Sequence, residues 1–111
     1  MRPSFSVLHA TWGRPEKAVA TMKLWFARAA IPSAVEYIVA MNTGDQPSWL
    51  AFKEHSQVKV IVGNFEGSAP AWDAAARASA GRILVQAQDD VYPPEHWDRL
   101  LLDHVAAKLF E

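Results

Sequence analysis

The sequence contains no cysteine, which excludes disulfide-stabilised scaffolds, thiolate zinc sites and cysteine nucleophiles. It also lacks a charge excess, because 11 lysines and arginines oppose 12 aspartates and glutamates, and a net charge of −1 does not attract nucleic acid. No apolar run approaches the roughly 18 residues of a membrane span, and residues 1–9 lack the apolar segment of a signal peptide. We therefore expect a cytoplasmic protein without a membrane span or a nucleic-acid partner.

The five glycines form neither a phosphate-binding P-loop nor the G-x-G-x-x-G fingerprint of dinucleotide-binding enzymes. What is present is a globular composition, since half of the 111 residues are hydrophobic and 21% are charged. A chain of this length is sufficient for one domain with its own core. We therefore interpret residues 1–111 as a single domain.

Short apolar runs alternate with longer segments of helical periodicity. The apolar runs predict strands at residues 4–10, 35–41, 58–62 and 82–87. Helices are predicted from Pro15 to the break at Ile31-Pro32, within residues 46–56, over residues 71–80 with Gly81 as the C-terminal stop, and after Pro93-Pro94. This order predicts right-handed crossovers and an α/β, Rossmann-like fold, in which helices flank a mostly parallel sheet of about four strands.

The loops that follow the strands are the candidate site, because ligands of parallel sheets bind beyond the carboxyl ends, where the strand order reverses. The loop after the fourth strand, Gln88–Tyr92, contains the adjacent carboxylates of Asp89 and Asp90, whose repulsion a divalent ion such as Mg²⁺ relieves. The alternative is a solvated turn in which Asp90 caps the next helix. His9, inside the first strand, is interpreted as a hydrogen-bonded, partly buried histidine.

A spaced pattern extends from Gly67 to Pro94. Gly67 is followed by Ala71, Asp73, an alanine-rich helix, Gly81, an apolar strand and Gln88-Asp89-Asp90. The pattern resembles the donor-binding half of family-2 glycosyltransferases of the GT-A fold, whose sequences run G-x-x-x-A-x-N, a helix, a glycine, a strand, D-x-D and a proline. Residues 6–16 resemble the start of the same family. The resemblance covers nearly the whole chain and implies a truncated GT-A-like domain.

The resemblance implies a site for a nucleoside diphosphate sugar, UDP sugars being favoured, and for Mg²⁺ or Mn²⁺. The cofactor-binding residues that it implies are Thr11, Trp12, Arg14, Asn42, Gly67 and Asp73, and the metal ligands are Asp89 and Asp90.

Each of these positions has a role under the resemblance. Thr11 and Trp12 receive the base, on which the Trp12 ring stacks, and Arg14 approaches a phosphate or a base oxygen. Gly67 lets the backbone come close to the ligand, and Asp73 bonds the ribose or holds its loop. The alternatives are a hydrophobic cover for Trp12, a solvated helix-start residue for Arg14 and a plain turn for Gly67.

Three positions depart from the family pattern. Gln88 replaces the first acid of D-x-D, and Asp73 replaces an asparagine. Asn42 replaces an acid that contacts the base, and Asp45, three residues later, is the candidate substitute. We expect these changes to alter the nucleotide preference.

No residue corresponds to the catalytic base that the acceptor-binding half supplies in this family, so the catalytic residues stay unassigned. Two hypotheses follow: a glycosyltransferase that moves a hexosyl group to an unknown acceptor, or a non-catalytic binding or oligomerisation module derived from one. A receiver-like signalling domain fits less well, because its acidic pair follows the first strand. Unpaired edge strands and the apolar residues Trp97, Leu100 and Leu101 of the last helix predict a homo-oligomer, most simply a dimer.

Overall fold

The computed structural model describes residues 2–109, and side chains for residues 2–106. In chain order its elements are β1 (Phe5–Ala10), α1 (Pro15–Ala27), a 3₁₀ turn (Pro32–Ala34), β2 (Val35–Asn42), α2 (Gln46–Phe52), β3 (Val58–Gly63), α3 (Ser68–Arg77), β4 (Ile83–Gln88) and α4 (Trp97–Leu109). The predicted alternation of strands and helices is confirmed, and every strand lies within one residue of its expected bounds.

The four strands form one sheet in the order β3-β2-β1-β4, and all neighbouring pairs are parallel. This confirms the α/β, Rossmann-like class. In the register, Ala10 of β1 lies opposite Ala40 of β2 on one side and Gln88 of β4 on the other. The chain adds β2 and β3 on one side of β1 and then returns to place β4 on the other. The strand order therefore reverses between β1 and β4.

Every residue of β1 is buried, because helices cover both faces of this central strand. Successive residues face opposite sides. Val7 belongs to the larger apolar cluster, with Trp25 of α1, whereas Leu8 packs in a second cluster with Ala75 of α3. His9 shares the side of Val7 and is therefore directed into the layer that contains α1.

Two helices differ from their predicted bounds. The third helix begins at Ser68 rather than residue 71, because Gly67, with φ of +90°, turns the chain directly into it. It ends at Arg77, so the prediction that Gly81 is its C-terminal stop is wrong. Gly81 is instead buried at the entry to β4, where its N–H donates to the Ser6 hydroxyl of β1 at 2.8 Å.

The first helix ends at Ala27, a few residues before the predicted break at Ile31-Pro32. A carboxylate from a distant part of the chain binds the backbone that follows the helix. Asp98, in the first turn of α4, accepts the N–H groups of Ala30 and Ile31 at 2.7 and 2.9 Å. These contacts provide hydrogen-bond acceptors for two backbone N–H groups outside the helix and connect α4 to the loop after α1.

Replacing Gly81 with alanine is expected to lower the free energy of unfolding by about 1–3 kcal/mol through overpacking. A Cβ atom there would lie 2.6 Å from the Ser6 nitrogen and 2.8 Å from the Phe5 carbonyl carbon, and the backbone of a central strand cannot move aside. Urea denaturation followed by circular dichroism measures the change. The control is Ala80→Ser at the exposed neighbouring residue. Equal stability of the two variants would contradict the close approach.

The last helix, α4, packs on the domain through its first turn. Trp97 is buried and Leu101 packs partly against the larger cluster, whereas Leu100 and Leu102 are more than half exposed. A homo-oligomer in which the apolar residues of this helix form the interface stays a prediction. Within residues 2–109, no helix combines the length and the hydropathy that crossing a bilayer requires.

Candidate functional site

A crevice of about 730 Å³ opens at the carboxyl ends of β1, β2 and β4. It coincides with the reversal of strand order between β1 and β4. Its walls are the turn after β1, the ends of β2 and β4, and the first residues of α3. They include six of the eight predicted site residues: Thr11, Trp12, Arg14, Asn42, Gly67 and Asp89.

The other two predicted site residues do not line the crevice. Asp73 is exposed on α3, pairs with Arg77 at 3.1 Å, and borders a separate groove beside β4. Asp90 is exposed and follows Asp89 directly, next to the wall that Asp89 forms. The structure therefore brings one predicted metal ligand into the crevice and places the other beside it, whereas Asp73 lies apart.

Asp89 is 2% exposed, and both of its carboxylate oxygens accept hydrogen bonds. His9 Nε2 donates to Oδ1 at 2.7 Å and Arg14 Nε donates to Oδ2 at 3.3 Å. Its backbone carbonyl accepts from the Thr21 hydroxyl of α1 at 2.5 Å. Burial by itself would raise the pKa of Asp89, but the polar contacts with His9 and Thr11 and the charge of Arg14 outweigh it and lower that pKa.

Behind Asp89 lie two buried polar groups that sequence reasoning did not assign to the site. His9 is fully buried, rather than partly as expected, and its Nδ1 lies 2.7 Å from the Tyr37 hydroxyl of β2. Burial, reinforced by the Asp89 charge, raises the pKa of Tyr37 well above its ordinary value. A histidine in an otherwise apolar strand was the available signal, but the sequence did not reveal which partners it meets.

The end of β2 carries a different polar arrangement. The Asn42 side-chain oxygen accepts the N–H of Phe65 at 2.6 Å, which leaves its amide NH₂ group as the available donor. Asp45 accepts the N–H of Gly13 at 2.9 Å and that of Ser48 at 3.4 Å, so it caps α2 and holds the turn after β1. Asp45 is buried and does not line the crevice, so its carboxylate serves structure here.

The turn after β1 presents an aromatic ring and a cation. Trp12 is 64% exposed, which does not fit a hydrophobic cover over the sheet, and the Arg14 side chain is 53% exposed. Thr11 is buried, and its hydroxyl lies near the Asp89 carboxylate without reaching hydrogen-bond geometry with any described residue. The half-exposed guanidinium of Arg14 suits a ligand rich in acceptor oxygens, such as a phosphate.

The residues that could hold a metal ion are Asp90 and, beside it, Asp89. No group of three histidine, aspartate or glutamate side chains within residues 2–106 is close enough to hold a metal ion together. Mg²⁺ does not require such a group, because it binds one or two carboxylates together with water and substrate phosphates. The carboxylate of Asp90 is exposed, whereas both oxygens of Asp89 already accept hydrogen bonds, and the metal assignment stays a prediction.

The chain was compared with known proteins. A scan of protein-family models gave no match, and a search of curated proteins gave none either.

Proposed function

We propose that the crevice binds a nucleoside diphosphate sugar together with a divalent cation, as in a glycosyltransferase that moves a hexosyl group to an acceptor. One observation carries the proposal. The turn after β1 and the acidic turn after β4 lie side by side where the strand order reverses. These two segments are the ones whose residues resemble family-2 glycosyltransferases.

Arg14 is the residue that we assign to the diphosphate. Its Nε donates to Asp89, so the two terminal nitrogens of the half-exposed guanidinium remain for phosphate oxygens. A guanidinium can donate two parallel hydrogen bonds to a phosphate, and such charge-assisted bonds are about twice as strong as neutral ones. Arg14 therefore combines a fixed position with free donors.

Trp12 and Thr11 are the residues that we assign to the nucleoside. The exposed Trp12 ring offers a stacking surface for a base, a contact worth about 1–3 kcal/mol. Thr11 belongs to this assignment by its place in the crevice wall, while its buried hydroxyl lies beside the Asp89 carboxylate and helps to lower the pKa of Asp89. Asn42 offers an amide donor, where the family pattern has an acid, so we expect a nucleotide preference that differs from the family's.

Asp90 is the first candidate to hold Mg²⁺ or Mn²⁺, because its carboxylate is exposed. Asp89 becomes a ligand in this proposal only if Arg14 or His9 releases one of its oxygens. When bound, the cation neutralises the leaving diphosphate as a Lewis acid. As long as Asp89 is not a metal ligand, it contributes to the site by holding the Arg14 guanidinium.

Isothermal titration calorimetry with UDP, GDP and their sugars, with and without Mn²⁺, tests the proposal. We expect binding that needs Mn²⁺ and that weakens about tenfold or more in Arg14→Met, because charge-assisted hydrogen bonds are lost. Asp90→Ala is expected to abolish the dependence on Mn²⁺. The control is Arg82→Met, which removes an exposed arginine at the opposite end of the sheet. Absence of heat for every nucleotide would contradict the proposal.

The alternative is a non-catalytic binding or oligomerisation module, which the exposed Leu100 and Leu102 of α4 favour. Under this alternative, a nucleotide sugar binds but is not consumed. Formation of free UDP from a UDP sugar, present in the wild type and lost in Asp90→Ala, would exclude it.

A further inference from the structure

A continuous series of hydrogen bonds runs from the core of the sheet to the crevice. The Tyr37 hydroxyl of β2 contacts His9 Nδ1 of β1 at 2.7 Å, and His9 Nε2 contacts Asp89 Oδ1 at 2.7 Å. Asp89 Oδ2 then accepts from Arg14 Nε at 3.3 Å. We call the first three residues the Tyr37–His9–Asp89 network. It is buried, whereas Arg14, at its end, is half exposed.

The direction of the hydrogen bond between His9 and Asp89 follows from the chemistry of the groups. A carboxylate oxygen accepts, and both contacts of the Asp89 carboxylate are to nitrogens, His9 Nε2 at 2.7 Å and Arg14 Nε at 3.3 Å. His9 Nε2 must then carry a hydrogen, whereas the role of Nδ1 depends on the tautomer. The Tyr37 hydroxyl suits either state of His9, because it can donate to a bare Nδ1 or accept from a protonated one. The network therefore places a hydrogen of His9 on the nitrogen that faces Asp89.

Stability alone does not account for this network. Buried polar networks are often no more stabilising than apolar side chains of similar volume, and the surroundings are apolar, with the Phe52 ring 6.2 Å from His9 and the Phe26 ring 5.6 Å from Tyr37. What the network does provide is orientation. Asp89 is held through its side chain by His9 and through its carbonyl by Thr21, so its second oxygen has a fixed position.

We propose that His9 and Tyr37 are positioning residues of the crevice, which act through Asp89 to hold the Arg14 guanidinium so that its terminal nitrogens remain for a diphosphate. The identity of the ligand rests on the proposed function. The positioning of Arg14 by His9 and Tyr37 does not, and it can be measured without ligand.

The first test uses the ligand-free protein. Nitrogen-15 NMR is expected to show His9 with its hydrogen on Nε2, and the Arg14 Nε–H exchanging with water about tenfold more slowly than in His9→Leu, because a charge-assisted hydrogen bond protects it. Tyr37→Phe retains the ring and removes one hydroxyl, so it covers the case in which His9→Leu does not fold. We expect His9→Gln, whose amide can donate to Asp89, to restore part of the protection. Equal exchange rates of the Arg14 Nε–H in the wild type, in His9→Leu and in Tyr37→Phe would overturn the proposal.

The second test is a double-mutant cycle on the affinity for UDP in the presence of Mn²⁺. We expect His9→Leu or Tyr37→Phe to weaken binding about tenfold in the wild-type background and to change it little in the Arg14→Met background. A purely structural role would give the same loss in both backgrounds and would overturn the proposal. If the wild type binds no nucleotide, the diphosphate is excluded as the ligand, and the exchange measurement still decides whether the network holds Arg14.

Discussion

Replacing Trp97 with alanine is expected to lower the free energy of unfolding by about 3–5 kcal/mol, the range for a large aromatic side chain lost from a core. Trp97 is 2% exposed and packs edge-on against Phe5 at 5.4 Å and Trp25 at 5.0 Å between ring centroids. Its indole N–H donates to the Trp25 carbonyl at 2.8 Å, so the variant also leaves a buried acceptor without its partner. Urea denaturation followed by circular dichroism measures the loss.

The matched control lies on the same helix. Leu100 is 55% exposed, and we expect Leu100→Ala to change the free energy of unfolding by no more than about 0.5 kcal/mol. A small effect of both substitutions would show that α4 is not anchored through Trp97. A large effect of Leu100→Ala would instead indicate that a second molecule covers this residue.

Replacing Asp89 with alanine is expected to cost about 2–4 kcal/mol of stability, because hydrogen bonds to an ionised carboxylate are worth about 1.5–3 kcal/mol each and Asp89 accepts two of them. The variant leaves the His9 Nε2–H without its acceptor in a fully buried position and leaves Arg14 without its anchor. The neighbouring Asp90→Ala removes the same charge at an exposed position and is expected to have little effect on stability. Similar losses for the two variants would contradict the structural distinction between these adjacent carboxylates.

The stabilisation by Asp89 also depends on pH. Its pKa is lowered in the folded protein, so its contribution is fully present above the pKa of an unfolded aspartate, about 3.9, and is lost as the pH falls through the folded pKa. The stability difference between the wild type and Asp89→Asn should therefore be large at pH 7 and narrow below about pH 4. Asp98, whose pKa is also lowered, contributes the same trend to both proteins, so the difference isolates Asp89. A difference independent of pH would contradict the ionised state of Asp89.

Local sequence patterns were sufficient to predict the class of this fold. Apolar runs of strand length, separated by segments with helical periodicity, predicted four strands in a parallel sheet, and each lies within one residue of its expected place. They also identified the loops after the strands as the region of the site, and Thr11, Trp12, Arg14 and Asn42 do line one crevice. The fold prediction succeeded because side-chain periodicity and turn residues act over a few neighbouring positions, whereas the function of the crevice stays a prediction.

Contacts between distant residues required the tertiary structure. The sequence does not reveal which groups the Asp89 carboxylate meets, whereas the register of β4 beside β1 directs Asp89 to the side of the sheet that His9 and Tyr37 share. Gly81 similarly owes its role to Ser6, which lies 75 residues earlier in the chain. Strand alternation places residues on one face or the other, whereas the partners that they meet depend on which strands pair and in what register. The sequence by itself thus determined the class of fold and the loops that form the candidate site, and the packing of the sheet decided which of their side chains contact one another.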